Sequence, residues 1–303
     1  MMDSYAPKGG QDSRGSFPAA SQLSSTDGLT NGNPLGQPCI KQKNSDITGP
    51  VLMLLRTKSS GADPGPPPDG GLKAWTQVVA GHLVVFNCWG YINSFGLFQA
   101  YYVTALGRSP STISWVGSVQ ILLIFLIGTF SGRAMDAGYY KITLIAGSIL
   151  QLLGVFMTSL STKYWQLFLA QGICQGLGDG LMFCPTISLM ATYFSTKRSL
   201  AISCAACGAA TGGVVFPIIA QQLLPKIGFG WTVRVMGFVI LANLALILTF
   251  ARTRIPPRTT GPIIEWAAFR ELPYVLFTIG MFLTLWGVYF AYYYVGCSLI
   301  SLA

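Results

Sequence analysis

Residues 142–160 read ITLIAGSILQLLGVFMTSL, nineteen residues without a charged side chain. A helix of this length can cross the hydrocarbon core of a bilayer. The same character extends well beyond it, because residues 75–251 carry only ten charged side chains, whereas the first 74 residues carry thirteen. A soluble core of that length would need a charged surface. The pattern therefore predicts that lipid surrounds the chain from residue 75 onward.

Six apolar stretches of sufficient length follow the first 74 residues, and a seventh lies close to the end. The predicted spans are Trp75–Phe98, Thr112–Ser131, Ile142–Leu160, Trp165–Tyr193, Leu200–Leu224, Trp231–Phe250 and Tyr274–Val295. Six spans followed by a longer basic connection and a seventh span indicate half of a transporter built from repeats. We therefore expect an all-α membrane protein in which residues 75–251 form a six-helix transporter half and residues 252–273 a cytosolic connection. Residues 274–303 would be the seventh transmembrane helix and a truncated C-terminus. Residues 1–74, rich in Gly, Pro, Ser, Asn and Asp, are expected to be a disordered cytosolic tail.

The basic residues predict which side of the membrane each connection faces. The even-numbered connections hold Arg133, Lys141, Lys197, Arg198, Arg252, Arg254, Arg258 and Arg270, and the odd-numbered ones hold Arg108, Lys163 and Lys226. Lys and Arg concentrate in cytoplasmic loops, so the N-terminus is expected in the cytosol. We expect an integral multi-pass protein, with the plasma membrane favoured over the vacuolar membrane. The net charge of +9 comes from these connections and forms no basic patch on a polar domain, which argues against nucleic acid as a partner.

No motif in the sequence indicates an enzyme. It contains no phosphate-binding loop, no clustered metal ligands and no nucleophile beside a base. The spacing Cys204-x-x-Cys207 lies in an apolar helix of small residues, where cysteines behave as small hydrophobes. We therefore expect no catalytic residue, no metal and no cofactor.

The connection between the second and third predicted spans, residues 132–141, reads GRAMDAGYYK. It resembles the cytoplasmic loop signature of the major facilitator superfamily. Glycines there allow a tight turn, and an aspartate can pair with a base or cap a helix N-terminus. Gly132, Asp136, Gly138 and Lys141 are therefore the candidate gating loop.

Four further stretches resemble the monocarboxylate transporter branch of that superfamily in its fungal form. They read PDGGLKAW (68–75), WGYINSFGLFQ (89–99), QGICQGLGDGL (171–181) and YFSTKR (193–198). The resemblance implies a secondary-active transporter of a small organic solute, such as a monocarboxylate-like acid, a vitamin or a secondary metabolite. The solute would bind between two six-helix halves that alternate access, and transport can be proton-coupled.

The family fold has twelve spans, so the chain corresponds to the N-terminal half plus about one helix. The alternative hypothesis is a truncated, non-transporting membrane protein. A related form of it is a half-transporter that needs a partner, through self-association or with a missing C-terminal half.

The first predicted span carries His82, Phe86, Trp89 and Asn93 at helical spacing. Aromatic rings with an amide suit an amphipathic organic ligand. The resemblance, aligned on Trp75, puts Asn93 where animal relatives have a cavity lysine. Phe86, Trp89 and Asn93 are therefore candidate substrate-binding residues, with helix packing as the alternative for Asn93. His82 is expected to be a histidine with satisfied hydrogen bonds.

The fourth predicted span has a glycine face and a polar face. Gly172, Gly176 and Gly180 should let a neighbouring helix approach, with the fifth span offering Ala205, Ala209 and Gly213. The polar face carries Gln171, Gln175 and Asp179, four residues apart.

A carboxylate near the middle of a membrane is costly and normally faces a cavity, a partner or a proton path. Asp179 and Gln175 are candidate substrate-binding residues, and a protonated or hydrogen-bonded packing role for Asp179 is the alternative. Tyr292 in the seventh span is a further candidate, with an interfacial aromatic belt as its alternative.

Overall fold

The computed structural model describes residues 65–254 and 268–302, with side chains in the last helix described as far as Tyr289. Residues 1–64 of the predicted tail and 255–267 of the predicted connection lie outside the described residues. The helices are α1 (residues 72–106), α2 (Pro110–Asp136), α3 (Tyr140–Leu160), α4 (Tyr164–Tyr193), α5 (198–227), α6 (229–250) and α7 (Leu272–Leu302). A short 3₁₀ turn, Ala268–Arg270, precedes α7. The described residues contain no strand, which agrees with the predicted all-α class.

The first helix, α1, begins at Leu72 and continues past the predicted limit of Phe98 to Leu106. It consists of Leu72–Val85, a π-helical turn Phe86–Gly90, the short piece Tyr91–Asn93 and Phe95–Leu106. It extends further than predicted because Tyr102 still packs inside the bundle, where it is 2% exposed. The wide π turn falls on the part of α1 that carries Phe86 and Trp89, and such turns are frequent at functional sites.

Helices α5 and α6 follow one another with a single backbone break. The helical path runs from Arg198 to Phe250, and only Gly228 leaves it, with φ 75° and ψ 171°. That combination is open essentially to glycine alone. The predicted connection between Leu224 and Trp231 is therefore a sharp corner at Gly228, and Pro225 and Lys226 still belong to the helix.

Five described helical stretches are long and apolar enough to cross a membrane. They are Pro110–Asp136, Tyr140–Leu160, Tyr164–Tyr193, Arg198–Phe250 and Leu272–Tyr289. The fourth of these contains both α5 and α6, whereas α1 consists of shorter helical pieces. Large apolar side chains such as Trp115 and Ile149 point outward, at 62% and 60% exposure. This surface agrees with the expected integral membrane protein.

The small residues of α4 and α5 serve two different interfaces, and the sequence-based pairing between them was wrong. A Cβ added to Gly176 would meet the backbone of Gln120 at 3.0 Å, so the glycine face of α4 packs against α2. On α5, a Cβ on Gly208 would collide with the carbonyl oxygen of His82, so α5 packs against α1. A glycine pattern predicts close approach, but it does not identify the neighbouring helix.

Candidate functional site

Three half-buried side chains of α1 form a surface that we call the α1 wall: Phe86, Trp89 and Asn93. The Phe86 ring lies 5.1 Å from that of Phe216 on α5, and the Trp89 ring lies 5.5 Å from that of Phe183 on α4. The wall is therefore held between α4 and α5. The Trp89 ring also packs against α2, and the parts of the wall that stay exposed belong to two aromatic rings and one amide.

Asn93 has one of its two amide atoms engaged. Its Nδ2 donates to the carbonyl oxygen of Ala209 on α5 at 3.2 Å. Within the described part of the chain, no donor reaches its Oδ1. Asn93 thus joins α1 to α5, as the packing alternative expects, and still offers an acceptor on the partly exposed wall.

His82 lies one turn before the wall, and each of its two ring nitrogens has a hydrogen-bonding partner. Nδ1 is 3.0 Å from the carbonyl oxygen of Cys204, and Nε2 is 3.1 Å from Oγ1 of Thr211. Both partners belong to α5. The geometry is that of a histidine with satisfied hydrogen bonds, as expected from the sequence.

The polar face of α4 points into the bundle and not onto the α1 wall. Gln171, Gln175 and Asp179 are at most 1% exposed. Gln171 accepts a hydrogen bond from the Tyr102 hydroxyl at 3.0 Å, and Gln175 donates to Oγ1 of Thr158 at 3.3 Å. The structure therefore brings Phe86, Trp89 and Asn93 together on one surface, and it places Gln175 and Asp179 behind that surface.

Asp179 lies between two glutamines that the sequence analysis did not single out. Gln120 of α2 donates to Oδ2 at 3.1 Å, and Gln151 of α3 donates to Oδ1 at 2.7 Å. Each glutamine is the polar residue nearest the middle of an apolar span. That position was the available signal, and the pairing became visible only with the helices in contact.

The candidate gating loop forms a compact turn between α2 and α3. Gly138 has φ 90°, its N–H donates to the carbonyl of Met135 at 2.8 Å, and the Tyr139 N–H donates to that of Ala134 at 2.8 Å. This is the arrangement in which a glycine ends a helix in the left-handed conformation. Gly132 lies inside α2 and takes no part in the turn.

Asp136 and Lys141 are exposed at the two ends of this turn. Within the described residues the Asp136 carboxylate has no hydrogen-bonding or ion-pair partner, and it does not cap α3. The expected pairing or capping by Asp136 is therefore not seen in this structure.

An aspartate just before α1 fastens the loop between α4 and α5. The Asp69 carboxylate accepts hydrogen bonds from the backbone N–H and hydroxyl groups of both Ser195 and Thr196. Its own N–H donates to the carbonyl of Tyr193 at 3.2 Å. We call these contacts the Asp69 clasp. The Ser195 and Thr196 donors hold the pKa of Asp69 down, at about 2 compared with its ordinary 3.8.

Arg254, just after α6, ties the same end of the bundle together. Its guanidinium donates to the carbonyl of Thr192 on α4 at 2.9 Å and to those of Gly65 and Pro66 at 2.8 and 2.6 Å. The segment before α1, the end of α4 and the end of α6 are therefore joined by polar contacts. The quoted PDGGLKAW and YFSTKR stretches meet here.

Two remaining site predictions concern Tyr292 and metals. The Tyr292 side chain lies outside the described residues, so its predicted role stays a prediction. Within the described part of the chain, no three His, Cys, Asp or Glu side chains group closely enough to hold a metal ion.

Several known proteins are similar to this chain. Residues 82–300 match the family model of the Major Facilitator Superfamily. An MFS-type transporter of Gibberella zeae is 49% identical over 261 residues, which cover 84% of this chain and 59% of that protein. MFS-type transporter dbaD of Emericella nidulans is 41% identical, covering 75% of this chain and 52% of the relative.

MFS-type transporter pytF of Aspergillus terreus is 38% identical over 77% of this chain and 80% of the relative. The chain thus spans little more than half of the first two relatives and most of the third. Among solved structures, a POT family transporter in complex with a thioalcohol-conjugated peptide superposes with a TM-score of 0.53 at 17% identity. That superposition covers 75% of this chain and 49% of the other, and it shows the likeness of fold.

Proposed function

Because the chain belongs to the major facilitator superfamily, we propose that it acts in the secondary-active transport of a small organic solute across a membrane. Its fungal relatives are named transporters, which agrees with the expectation that it is not an enzyme. Alternating access moves the solute without covalent chemistry. Because the chain covers only part of two of these relatives, transport by the chain itself is part of the proposal.

The observation that carries the proposal is the α1 wall. Two aromatic faces and an amide acceptor are held in place by α4 and α5 and stay partly exposed. Pockets for organic ligands combine large apolar faces with a few polar groups that orient the ligand. A solute with an apolar body and a hydrogen-bond donor fits this wall, which supports a vitamin or a secondary metabolite within the predicted class. An ionised carboxylate only accepts hydrogen bonds, so an organic acid would need a donor from elsewhere.

Flux measurements in cells that express this chain test the proposal. We expect uptake or efflux of at least one solute from a panel of radiolabelled monocarboxylic acids and vitamins. Trp89→Leu should lower that flux strongly, because it removes an aromatic face of the wall. Trp165→Leu is the matched control, since Trp165 is 58% exposed on the outside of α4, and flux should be kept. Flux that is unchanged in Trp89→Leu would refute the assignment of the wall.

A second candidate is a half-transporter that works only with a partner. It is favoured by the partial exposure of the α1 wall, because a cavity between two halves needs a second half. Co-expression with the C-terminal half of the Gibberella zeae relative distinguishes the two. Flux that appears only on co-expression supports the second candidate, whereas flux by the chain alone refutes it.

A further inference from the structure

Among the described residues, one carboxyl group is buried, and it lies where α1, α2, α3 and α4 meet. Asp179 is 1% exposed, and its two oxygens receive the amide groups of Gln120 and Gln151. Within the described residues it forms no ion pair. An ionised carboxylate without a cation is expensive inside a membrane.

The groups around Asp179 come from every helix packed against it, and none is a cation. The neutral Cys88 thiol and Tyr91 hydroxyl of α1 lie in its surroundings, as does the Cys174 thiol of α4 itself. From α2 and α3 come the neutral amides of Gln120 and Gln151. The two amides donate hydrogen bonds to the carboxylate, but no cation in this shell neutralises it, so a proton is the neutralising partner that the site can take.

The hydrogen-bond count of the site points to the same conclusion. Gln120 and Gln151 each use their Nε2 on the carboxylate, and the Oε1 of each is buried without a partner among the described residues. A protonated Asp179 has an O–H to donate. A half-turn of either amide would present its Oε1 to that O–H, which satisfies one of the two unpartnered acceptors.

Other polar side chains extend from Asp179 toward the end of the bundle where α1 meets α2. The pairs are Gln175 with Thr158, Gln171 with Tyr102, and Gln99 with Ser114. Three further buried polar atoms along this row have no partner in the described part of the chain: the Tyr91 hydroxyl, Nε2 of Gln171 and Oε1 of Gln99. Buried polar atoms of this kind are where internal water molecules bind.

We propose that Asp179 is a proton-binding site, with Gln120 and Gln151 as amides that turn to accept its O–H, and that the polar row supplies the proton through water. The carboxylate gains one proton from water bound along the row and returns one proton when it ionises, so charge and atoms balance. The site lies behind the α1 wall and does not touch the solute there. This inference deepens the proposed transport function and rests on it for its physiological role.

Infrared spectroscopy of the full chain in phosphatidylcholine nanodiscs tests the site without a transported solute. The C=O stretch of a protonated carboxyl group is separate from that of a carboxylate. We expect a protonated-carboxyl band at about pH 5, where exposed carboxyl groups are already largely ionised, and we expect the band to decrease as the pH is raised. The band should be lost in Asp179→Asn and kept in Glu271→Gln, which changes an exposed carboxyl before α7.

Asp179→Glu is the control for a folding defect, because it changes the side chain but keeps a carboxyl group at this position. Its protonated-carboxyl band should therefore shift and not disappear. Gln120→Leu and Gln151→Leu should each shift the band, because each removes a hydrogen-bonding partner. A spectrum of Asp179→Asn that matches the parent at every pH would overturn the proposal. So would a parent protein without a protonated-carboxyl band at about pH 5.

A second measurement separates this proposal from the proposed function. In vesicles containing a pH-sensitive dye, solute flux driven by an acid gradient should be lost in Asp179→Asn and kept in Glu271→Gln. If no solute is transported but the infrared band behaves as expected, the transport proposal fails and the proton site stands. If flux is observed and responds equally to acid in Asp179→Asn, the proton site has no role in coupling and that part of the proposal is refuted.

Discussion

The corner between α5 and α6 depends on Gly228, and a methyl group added to this residue would contact no other residue. Gly228 has φ 75° and ψ 171°, and no atom lies within 4 Å of the position that a Cβ would take. Gly228→Ala therefore adds no collision, and its whole cost is conformational. Holding a non-glycine residue in this region of backbone space costs about 1–3 kcal/mol.

The expected effect is large enough to measure in a detergent-solubilised protein. One to two kcal/mol changes the ratio of folded to unfolded protein by about 5- to 30-fold. We expect Gly228→Ala to lower the midpoint of thermal unfolding, followed by tryptophan fluorescence in detergent micelles. The cause would be the loss of the corner that lets α6 turn back against the bundle.

A matched control exists in α7. Gly280 is helical and also has no atom within 4 Å of a built Cβ. Gly280→Ala should be neutral or stabilise the helix by about 0.5–1 kcal/mol, because alanine loses less backbone freedom than glycine. The reasoning about the corner is refuted if Gly228→Ala unfolds at the same temperature as the parent or at a higher one.

Three further changes test other contacts. Gly208→Leu should abolish the monodisperse folded peak in size-exclusion chromatography, because its side chain would enter the backbone of α1, while Gly280→Leu should leave the peak in place. Asp69→Asn should lower the unfolding midpoint by the same amount from about pH 5 to about pH 8, because the pKa of Asp69 is about 2 and its clasp is charged throughout that range. The clasp's contribution is fully present above the ordinary pKa of 3.8 and is lost as the pH falls through about 2, so a midpoint difference that varies between pH 5 and 8 would contradict the assignment. A small membrane-permeant maleimide should label Cys207, which is exposed, and leave Cys88, which is fully buried, so labelling should fall in Cys207→Ser and persist in Cys88→Ser.

The sequence was sufficient to predict a long apolar helix such as α3, because its apolar character depends on composition along one stretch of chain. Ile142–Leu160 was predicted as a helix, and the structure has Tyr140–Leu160. The left-handed turn at Gly138 also follows from local rules, since only three or four residues decide it. Each of these features is a property of neighbouring residues.

Features that depend on which helices meet could not be predicted in the same way. The glycines of α4 were recognised as a contact face, but their partner is α2 and not α5. Asp179 was recognised as costly, whereas Gln120 and Gln151 are separated from it by 59 and 28 residues. The Asp69 clasp joins residues 126 positions apart. Contacts at such separations leave no periodic pattern in one sequence.

The Asp69 clasp has a consequence for the order in which the chain is assembled. Asp69, which precedes α1, accepts hydrogen bonds from the residues just before α5. The His82 ring of α1 reaches its second hydrogen-bonding partner only at Thr211, 129 positions later. A chain emerging from the ribosome makes α1 first and α5 much later, so the earliest helix to enter the membrane is the one that waits longest for its partner. Until residue 211 has been made, the side of α1 that faces α5 is open to lipid or to a chaperone, and any chain interrupted before that point leaves this side of its first helix uncovered.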